Sequence, residues 1–368
     1  MSDGHVRIRF TSIVSRRPLH MELRQTTVAA SKTTPPLSHE SNSRRLMVGV
    51  QATVRPSDAA RDRAQQGVGS VGHPLAGGRY RCAMAAPDAF APDSRHHPPM
   101  SAVRSERRAV DEADSRRANG PDWDRYADEY QATHGAFLGD AGFVWGPEGL
   151  TEQVAGVLGA VTDRDVLEVG SGAGQCSRWV RTQGGRAIGL DLSHRQLQHS
   201  RRLDEETGTV VPSVLGTATH LPFVDGSFDV VFSSFGALQF VRDLDLALAG
   251  IARVLRPGGR FAFSITHPTR WMFPDDPGEE GLLASQSYWD RTPYVEVDDE
   301  TGEVSYVEHH RTLGDWVALL SASGFAITSL LEPEWPDGHD RVWGGWSGVR
   351  GRITPGTAIF VCDLFVPR

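Results

Sequence analysis

The residues of this chain best suited to chemistry gather in Val166-Leu-Glu-Val-Gly-Ser-Gly-Ala-Gly174, with an acid, Asp191, 17 positions further on. An apolar run (Val166, Leu167, Val169) meets glycines at Gly170, Gly172 and Gly174, and a helical pattern follows at once. A strand, a glycine turn and a helix start form a place where a nucleotide-like ligand can lie against bare backbone. Glycine-rich turns also serve purely structural ends. The spacing departs from the dinucleotide fingerprint: the third glycine comes one residue early, and Gln175 stands where that pattern wants it. Glu168 lies two residues before the first glycine.

Asp191 ends a second apolar run, Arg186-Ala-Ile-Gly-Leu-Asp191. In a parallel sheet this strand ends beside the first, so its carboxylate reaches the same crevice. There it can accept hydrogen bonds from both hydroxyls of a ribose, each about 1.5–3 kcal/mol. The structural alternative is a helix cap, a role that Ser193 fills better.

These residues need a frame. From residue 150 onward strands and helices alternate with short connections, the pattern of a doubly wound α/β sheet. Leu150, Val154, Val157 and Leu158 make a helical stripe before the first strand, and Cys176, Trp179 and Val180 make the buried face of the helix after the glycines. Further strands are expected at 210–215, 228–233 and 260–265. Leu244, Leu248, Ile251 and Leu255 predict an amphipathic helix stopped by Pro257-Gly258-Gly259. Thr312 and Asp315 open a last helix with Leu313, Trp316, Val317 and Leu320 inward and Gly324 at its end; strands at 326–331 and 357–365 complete seven. The segment 267–311 is long for a loop and holds Trp271, Met272, Phe273, Tyr288, Trp289, Tyr294 and Tyr306. It reads as a substrate-covering lid or a small added strand pair.

Composition divides the chain. Residues 1–110 carry 17 Lys and Arg against 8 Asp and Glu, whereas the remainder carries 21 against 38. The basic part is rich in Arg, Ser, Pro, Gly and His without a sustained period, as expected of disorder. A nucleic-acid-binding or disordered tail, a transit peptide, and untranslated sequence before a true start at Met100 or Met84 are its readings. Lys32 is the single lysine beside 37 arginines, the mark of a GC-rich genome in which long spurious frames are common. The sequence contains no apolar run of membrane-spanning length and no secretory signal. Cys82, Cys176 and Cys362 lack metal-ligand spacing and fit a reducing, cytoplasmic setting.

Residues 120–368 resemble the class I S-adenosylmethionine-dependent methyltransferases, in particular the small-molecule branch called type 11. The glycine stretch is similar to the cofactor-loop motif and Gly189-Leu-Asp-Leu-Ser193 to the acidic second motif. Gly216-Thr-Ala-Thr-His-Leu-Pro-Phe223 and Asp225-Gly-Ser-Phe-Asp-Val-Val-Phe-Ser-Ser234 resemble the third and fourth blocks. Arg253-Val-Leu-Arg-Pro-Gly-Gly-Arg-Phe261 resembles the block after them. The resemblance implies a Rossmann-like seven-stranded sheet, mostly parallel with one antiparallel strand and flanked by helices. It also implies S-adenosyl-L-methionine as cofactor. Gly170, Ser171, Gly172 and Gly174 would lie along its methionine and ribose, Asp191 would hold the diol, and Leu192 and Gln196 would flank the adenine. Thr217, Ala218 and Thr219 stand where the family commonly has an acid for the adenine amino group, and offer hydroxyls and backbone instead. Ser234 would face the cofactor's amino group, with Glu168 also among its contacts. Trp123-Asp-Arg-Tyr126-Ala-Asp-Glu-Tyr130 resembles the helix that folds over the cofactor, through Tyr126.

Methyl transfer from a sulfonium asks for in-line positioning, plus a base where the acceptor carries a proton. His267 and His134 are the candidate bases, with His309 and His310 more distant; Gln239 stands where relatives often have histidine. Tyr130, Trp145, Gln239 and Tyr288 are the expected acceptor pocket. Ser233-Ser-Phe-Gly lacks the Asn/Asp-Pro-Pro-aromatic run of base-amine methyltransferases, and the acidic main part disfavours a nucleic-acid backbone. The expected activity is methyl transfer to O, N or C of a small, neutral or cationic molecule. The alternatives are a non-catalytic S-adenosylmethionine-binding regulator and a protein or RNA methyltransferase.

Overall fold

The apolar residues at 166–169 gain neighbours on both sides and both faces, which makes this strand an interior strand of a seven-stranded sheet. The computed structural model describes residues 103–299 and 301–365; residues 9–10 and 19–20, in a separate unit, pair antiparallel. In chain order run β1 (Val103–Arg107), α1 (Glu112–Leu138), β2 (Asp165–Val169), α2 (Gln175–Thr182) and β3 (Arg186–Asp191). Then come α3 (His194–Thr207), β4 (Ser213–Leu215), β5 (Phe228–Ser234), α4 (Leu244–Val254) and β6 (Leu255–Thr266). The remainder is β7 (Tyr294–Asp298), β8 (Val304–Glu308), α5 (Leu313–Ala322), β9 (Phe325–Leu331) and β10 (Thr357–Leu364). The large sheet has the order β9-β10-β6-β5-β2-β3-β4. β10 runs antiparallel to both neighbours, while the strands from β6 to β4 are parallel.

Alternation along β2 builds two cores. Leu167 joins Leu190, Val231, Leu248, Ile251, Phe263 and Trp316 on one face, and Val166 joins Ala187, Val230, Phe232, Trp145 and Ile359 on the other. Each fully buried Leu or Phe contributes about 1.5–3 kcal/mol, so the strands whose loops form the crevice are the firmest part of the domain. The strand order reverses beside β2: β3 and β4 follow on one side, β5 and β6 on the other. A crevice opens at the carboxyl ends of strands at such a switch point.

Several expectations are corrected. The stripe at Leu150, Val154, Val157 and Leu158 is one helical turn, Glu152–Ala155, and Val154 is exposed. The buried Glu152 carboxylate accepts from Trp145 Nε1 (2.9 Å), Val157 N (3.2 Å) and Leu158 N (2.8 Å), bonds that hold the chain out of a longer helix. In α2 the buried residues are Gln175, Ser177, Arg178 and Val180, while Cys176 and Trp179 are half-buried. Arg178 is buried because it binds the carbonyls of Asp140, Ala173, Ser200 and Thr209 and the Asp204 carboxylate. β4 is shorter than the strand expected at 210–215 and leaves Val210 exposed. Leu255 belongs to β6, pairing with Phe228, and the register shifts before Arg260 pairs with Val230. Val317 is exposed on α5, whereas the Thr312–Asp315 capping box is present.

Residues 103–107, within the basic stretch read to residue 110, form β1. β1 pairs with β7, which pairs with β8, giving the order β8-β7-β1. The segment 267–311 thus contains the added strand pair, completed by a strand preceding α1. Expectations for residues 1–99, including Met84, Met100 as a start and Cys82, lie outside the described residues.

Candidate functional site

The cavity at the switch point begins where β2 ends. Gly170 N and Ser171 N both donate to Leu190 O (2.8 and 3.0 Å), which folds the glycine turn onto β3. Gly170 has φ +74°, and a Cβ there would stand 2.7 Å from Ala237 Cβ. Gly172, at φ +52°, would meet only Gln196 Oε1 at 3.8 Å, so its outer side is open to the cavity. Gly174 packs instead against Ser200 behind α2 and is absent from the wall. Asp191 Oδ2 accepts from Gly172 N (2.7 Å) and Oδ1 from Ser193 N (2.8 Å), so the acid at the end of β3 braces the turn at the end of β2. Burial raises its pKa against these bonds. Each oxygen keeps further acceptor capacity.

Glu168, one residue before the strand's end, accepts from Ser177 N (2.9 Å) and Ser177 Oγ (2.6 Å). Burial pushes its carboxyl up to about 8, so it holds its proton at neutral pH. Thr217 and Thr219 share a hydroxyl contact of 2.9 Å beside Ala218. Ser234 Oγ donates to Val144 O (2.6 Å). Phe235 follows at φ +55°, a conformation costing about 1–3 kcal/mol for a side chain of this size. Its N–H donates to Ser264 Oγ (2.8 Å), which fixes it at the mouth of β5.

α1 covers these strand ends. Asn119 accepts from Val307 N (2.9 Å) and donates to Val307 O (3.1 Å) and Phe240 O (3.3 Å), which ties the helix to β8. Asp124 accepts from Ser193 Oγ (2.6 Å) and Arg195 N (2.9 Å) at the start of α3. Gln131 links Gln196 Oε1 (3.1 Å) and Gln175 Nε2 (2.9 Å), an amide chain across α1, α2 and α3. The cover adds aromatic contacts: Trp123 to Tyr130 (5.7 Å) and Phe240 (5.6 Å), and Trp343 stacked on His134 at 3.9 Å and 8°.

Of the residues singled out in the sequence, Glu168, Gly170, Ser171, Gly172, Asp191, Leu192, Gln196, Thr217, Ala218, Thr219, Ser234 and Tyr130 line one cavity. Others stand elsewhere. Tyr126 packs on Trp123 and Tyr130 outside the wall. Trp145 is core, bonded to Glu152, and Gln239 is buried beneath the turn with its amide on Phe235 O. Tyr288 accepts from Leu313 N at the start of α5. His267 bridges Thr269 Oγ1 and Glu332 Oε1 (both 2.8 Å) at the end of β6, and burial lowers its pKa. His134 lies behind Tyr130 and Trp343, its pKa held down to about 4 by burial and the Arg341 charge. His309 contacts Ser115 Oγ (2.9 Å), and His310 meets Tyr288 O (2.7 Å).

Sequence reasoning missed Gln131, Gln175, Phe235, Phe240 and Trp343 as wall residues. Gln175 carried a signal, since it replaces the glycine of the dinucleotide pattern; Trp343 sits in a loop with no local period. Among the described lining residues none comes from 267–311, and that segment is tied to α1 through Val307 and Asn119. No helix among the described residues is long and apolar enough to cross a membrane.

The sheet order, the switch-point cavity, the glycine turn and the strand-end acid define a Rossmann-like doubly wound fold with a ligand cavity at its switch point. Residues 167–263 match the family model described as a methyltransferase domain. The chain is 35% identical over 119 residues to a demethylmenaquinone methyltransferase of Tropheryma whipplei, covering 32% of this chain and 48% of that protein. It is 35% identical over 116 residues to a malonyl-[acyl-carrier protein] O-methyltransferase of Xylella fastidiosa, covering 30% of this chain and 38% of that one. The chain thus spans under half the length of these relatives. A solved S-adenosylmethionine-dependent methyltransferase from Mesorhizobium loti is 27% identical, with 59% of this chain and 100% of that chain covered and a TM-score of 0.44.

Proposed function

We propose that the protein is a methyltransferase that moves the methyl group of S-adenosylmethionine to O, N or C of a small molecule. One observation carries the reading: Asp191 and the open side of Gly172 share one cavity wall with Thr217, Ala218 and the strand-end residue Ser234. The residues fit the cofactor. Ser171 Oγ is buried without a hydrogen-bond partner, the protonated Glu168 and the Asp191 oxygens offer polar contacts, and Gly172 leaves room for a ligand. Asp191 would hold the ribose, Leu192 and Ala218 the adenine, and Ser171 and Glu168 the amino-acid end. The bound cofactor supplies an electrophilic methyl group.

The chain then has to orient the acceptor and exclude water. α1, with Trp123 and Tyr130, supports both tasks. The Tyr130 phenol, its pKa raised by burial, keeps its proton and is suited to hydrogen bonding. Neither predicted histidine suits a general base: His267 is bound to Glu332 away from the cavity, and His134, near 4, accepts protons weakly at neutral pH. This favours an acceptor that reacts without a strong base, or one that loses its proton to water.

Isothermal titration of the full chain with S-adenosylhomocysteine and with NAD tests the assignment. Binding of the first and none of the second is expected, together with label transfer from S-adenosylmethionine into a small-molecule fraction. Binding of NAD alone would overturn it.

A further inference from the structure

Tyr130, Leu138, Val144, Pro147, Phe235 and Trp343 are among the residues lining the cavity and make up its aromatic chamber. None of these side chains carries a charge. The charged lining residues on α1, Glu112 and Arg116, stand at least 14 residues before Tyr130, about 21 Å along the helix. Trp343 packs edge to face with Tyr130 (5.9 Å, 70°) and Phe235 (6.4 Å, 73°), so three rings meet at one corner. His134 covers one face of the Trp343 indole at 3.9 Å and is itself edge-on to Tyr130 at 4.9 Å. Behind them Arg341 lies 4.1 Å over the Phe137 ring, which is edge-on to Trp343 at 6.0 Å.

Resting on the methyltransferase reading above, we propose that this chamber takes a flat, uncharged aromatic ring as methyl acceptor. Trp343 is the residue that selects it, and His134 is the positioning residue that holds Trp343. Rings joined edge to face or offset gain about 0.5–1.5 kcal/mol per pair beyond area burial, which favours a planar π-system over a saturated ring of the same size. Aromatic walls also attract cations, and that alternative is decided by charge. A cationic acceptor would find no carboxylate among the six chamber residues, Glu168 of the wall is protonated, and Arg341 adds a positive charge behind the wall. His134 is kept neutral by the same surroundings, so the platform under Trp343 does not repel an apolar ring. Phe235 is held in its left-handed conformation by the Ser264 bond, which fixes the ring that meets Trp343 edge to face.

The test begins with S-adenosylhomocysteine binding to the full chain; a chain that takes up none overturns the underlying reading and this proposal with it. The saturated complex is then titrated with 2-naphthol, decahydro-2-naphthol and 2-naphthylmethylammonium. 2-Naphthol should bind about tenfold more tightly than either comparator. Trp343→Ala should lower 2-naphthol affinity about tenfold and Trp343→Phe should restore most of it, with S-adenosylhomocysteine affinity unchanged within about twofold. His134→Ala should weaken 2-naphthol by about threefold and His134→Phe, which keeps a flat ring on Trp343, should recover it. Equal binding of the three probes, or tightest binding of the ammonium, overturns the proposal while the cofactor assignment stands. So does a Trp343→Ala protein that binds 2-naphthol normally but loses S-adenosylmethionine relative to S-adenosylhomocysteine, since Trp343 would then face the sulfonium.

Discussion

The strand-end wall of the cavity is made largely of backbone, and its cover is made of side chains. On the first, Gly172 N reaches Asp191 across 19 residues of chain, through one turn and one crossover helix. On the second, Asn119 meets Val307 across 188 residues. The Trp343–His134 stack likewise joins the penultimate loop to the first helix. Backbone geometry set by strand ends is rigid, because β2, β3 and β5 are buried on both faces. A cover held by amide chains and ring contacts depends on many small terms, each about 1 kcal/mol. The wall therefore suits a ligand that never changes, and the cover suits specificity and access.

The sharpest break in this contrast is Asp191→Ala. It removes the proposed ribose contact and leaves Gly172 N and Ser193 N without their acceptor, so both the ligand and the turn are affected. Cofactor affinity should fall by about 2–4 kcal/mol, roughly 30- to 1000-fold, measured by isothermal titration. An unchanged affinity would show that the ribose is held elsewhere and that the acid serves the turn alone.

Glu168 probes the same wall through pH. Its folded pKa, about 8, lies above the ordinary carboxylate value of 4.5 because of burial, so the folded state binds the extra proton between those values. The sign follows: this stability contribution is complete below about pH 4.5 and is lost as pH rises through about 8. Ligand-free protein should lose on the order of 2–3 kcal/mol from this group between pH 6 and 8.5, and Glu168→Gln should flatten that slope in thermal melts. A variant with the wild-type slope would place the proton on another group.

The same contrast governs what could be read from the sequence. The strand-end wall was legible because its parts are neighbours in sequence: glycine spacing, an acid at a strand end, and Ser193 as the cap of α3. Elements failed where one side-chain bond outweighed periodicity. The stripe at 150–158 has helical spacing, yet Glu152 turns its carboxylate onto Val157 N and Leu158 N and stops the helix after one turn. Leu255 fits the period of α4, but Pro257 drives the residue before it out of the α region and the strand begins early. Among the aromatics of 267–311, Trp271 is flanked by Arg107 at 4.7 Å and Arg270 at 5.2 Å, contacts that no local period announces. β1 could not be recognised, because its five residues include two arginines and a glutamate and gain their place only from β7.

The smallest expected effect tests whether the cover is also the gate. Gln131→Ala removes two ties of α1, to Gln196 and to Gln175, but frees both partners to bind water instead. The helix keeps Asn119 on β8 and Asp124 on the start of α3, so its fold and melting temperature should hardly move. What changes is the work of lifting α1 from the cavity, by about 0.5–1 kcal/mol, which makes S-adenosylhomocysteine dissociation about two- to fivefold faster in stopped-flow. If the rate stays at its wild-type value while Asp124→Ala raises it, the hinge of the cover lies at the start of α3. If neither variant moves it, the ligand leaves through the aromatic chamber and α1 is a fixed roof.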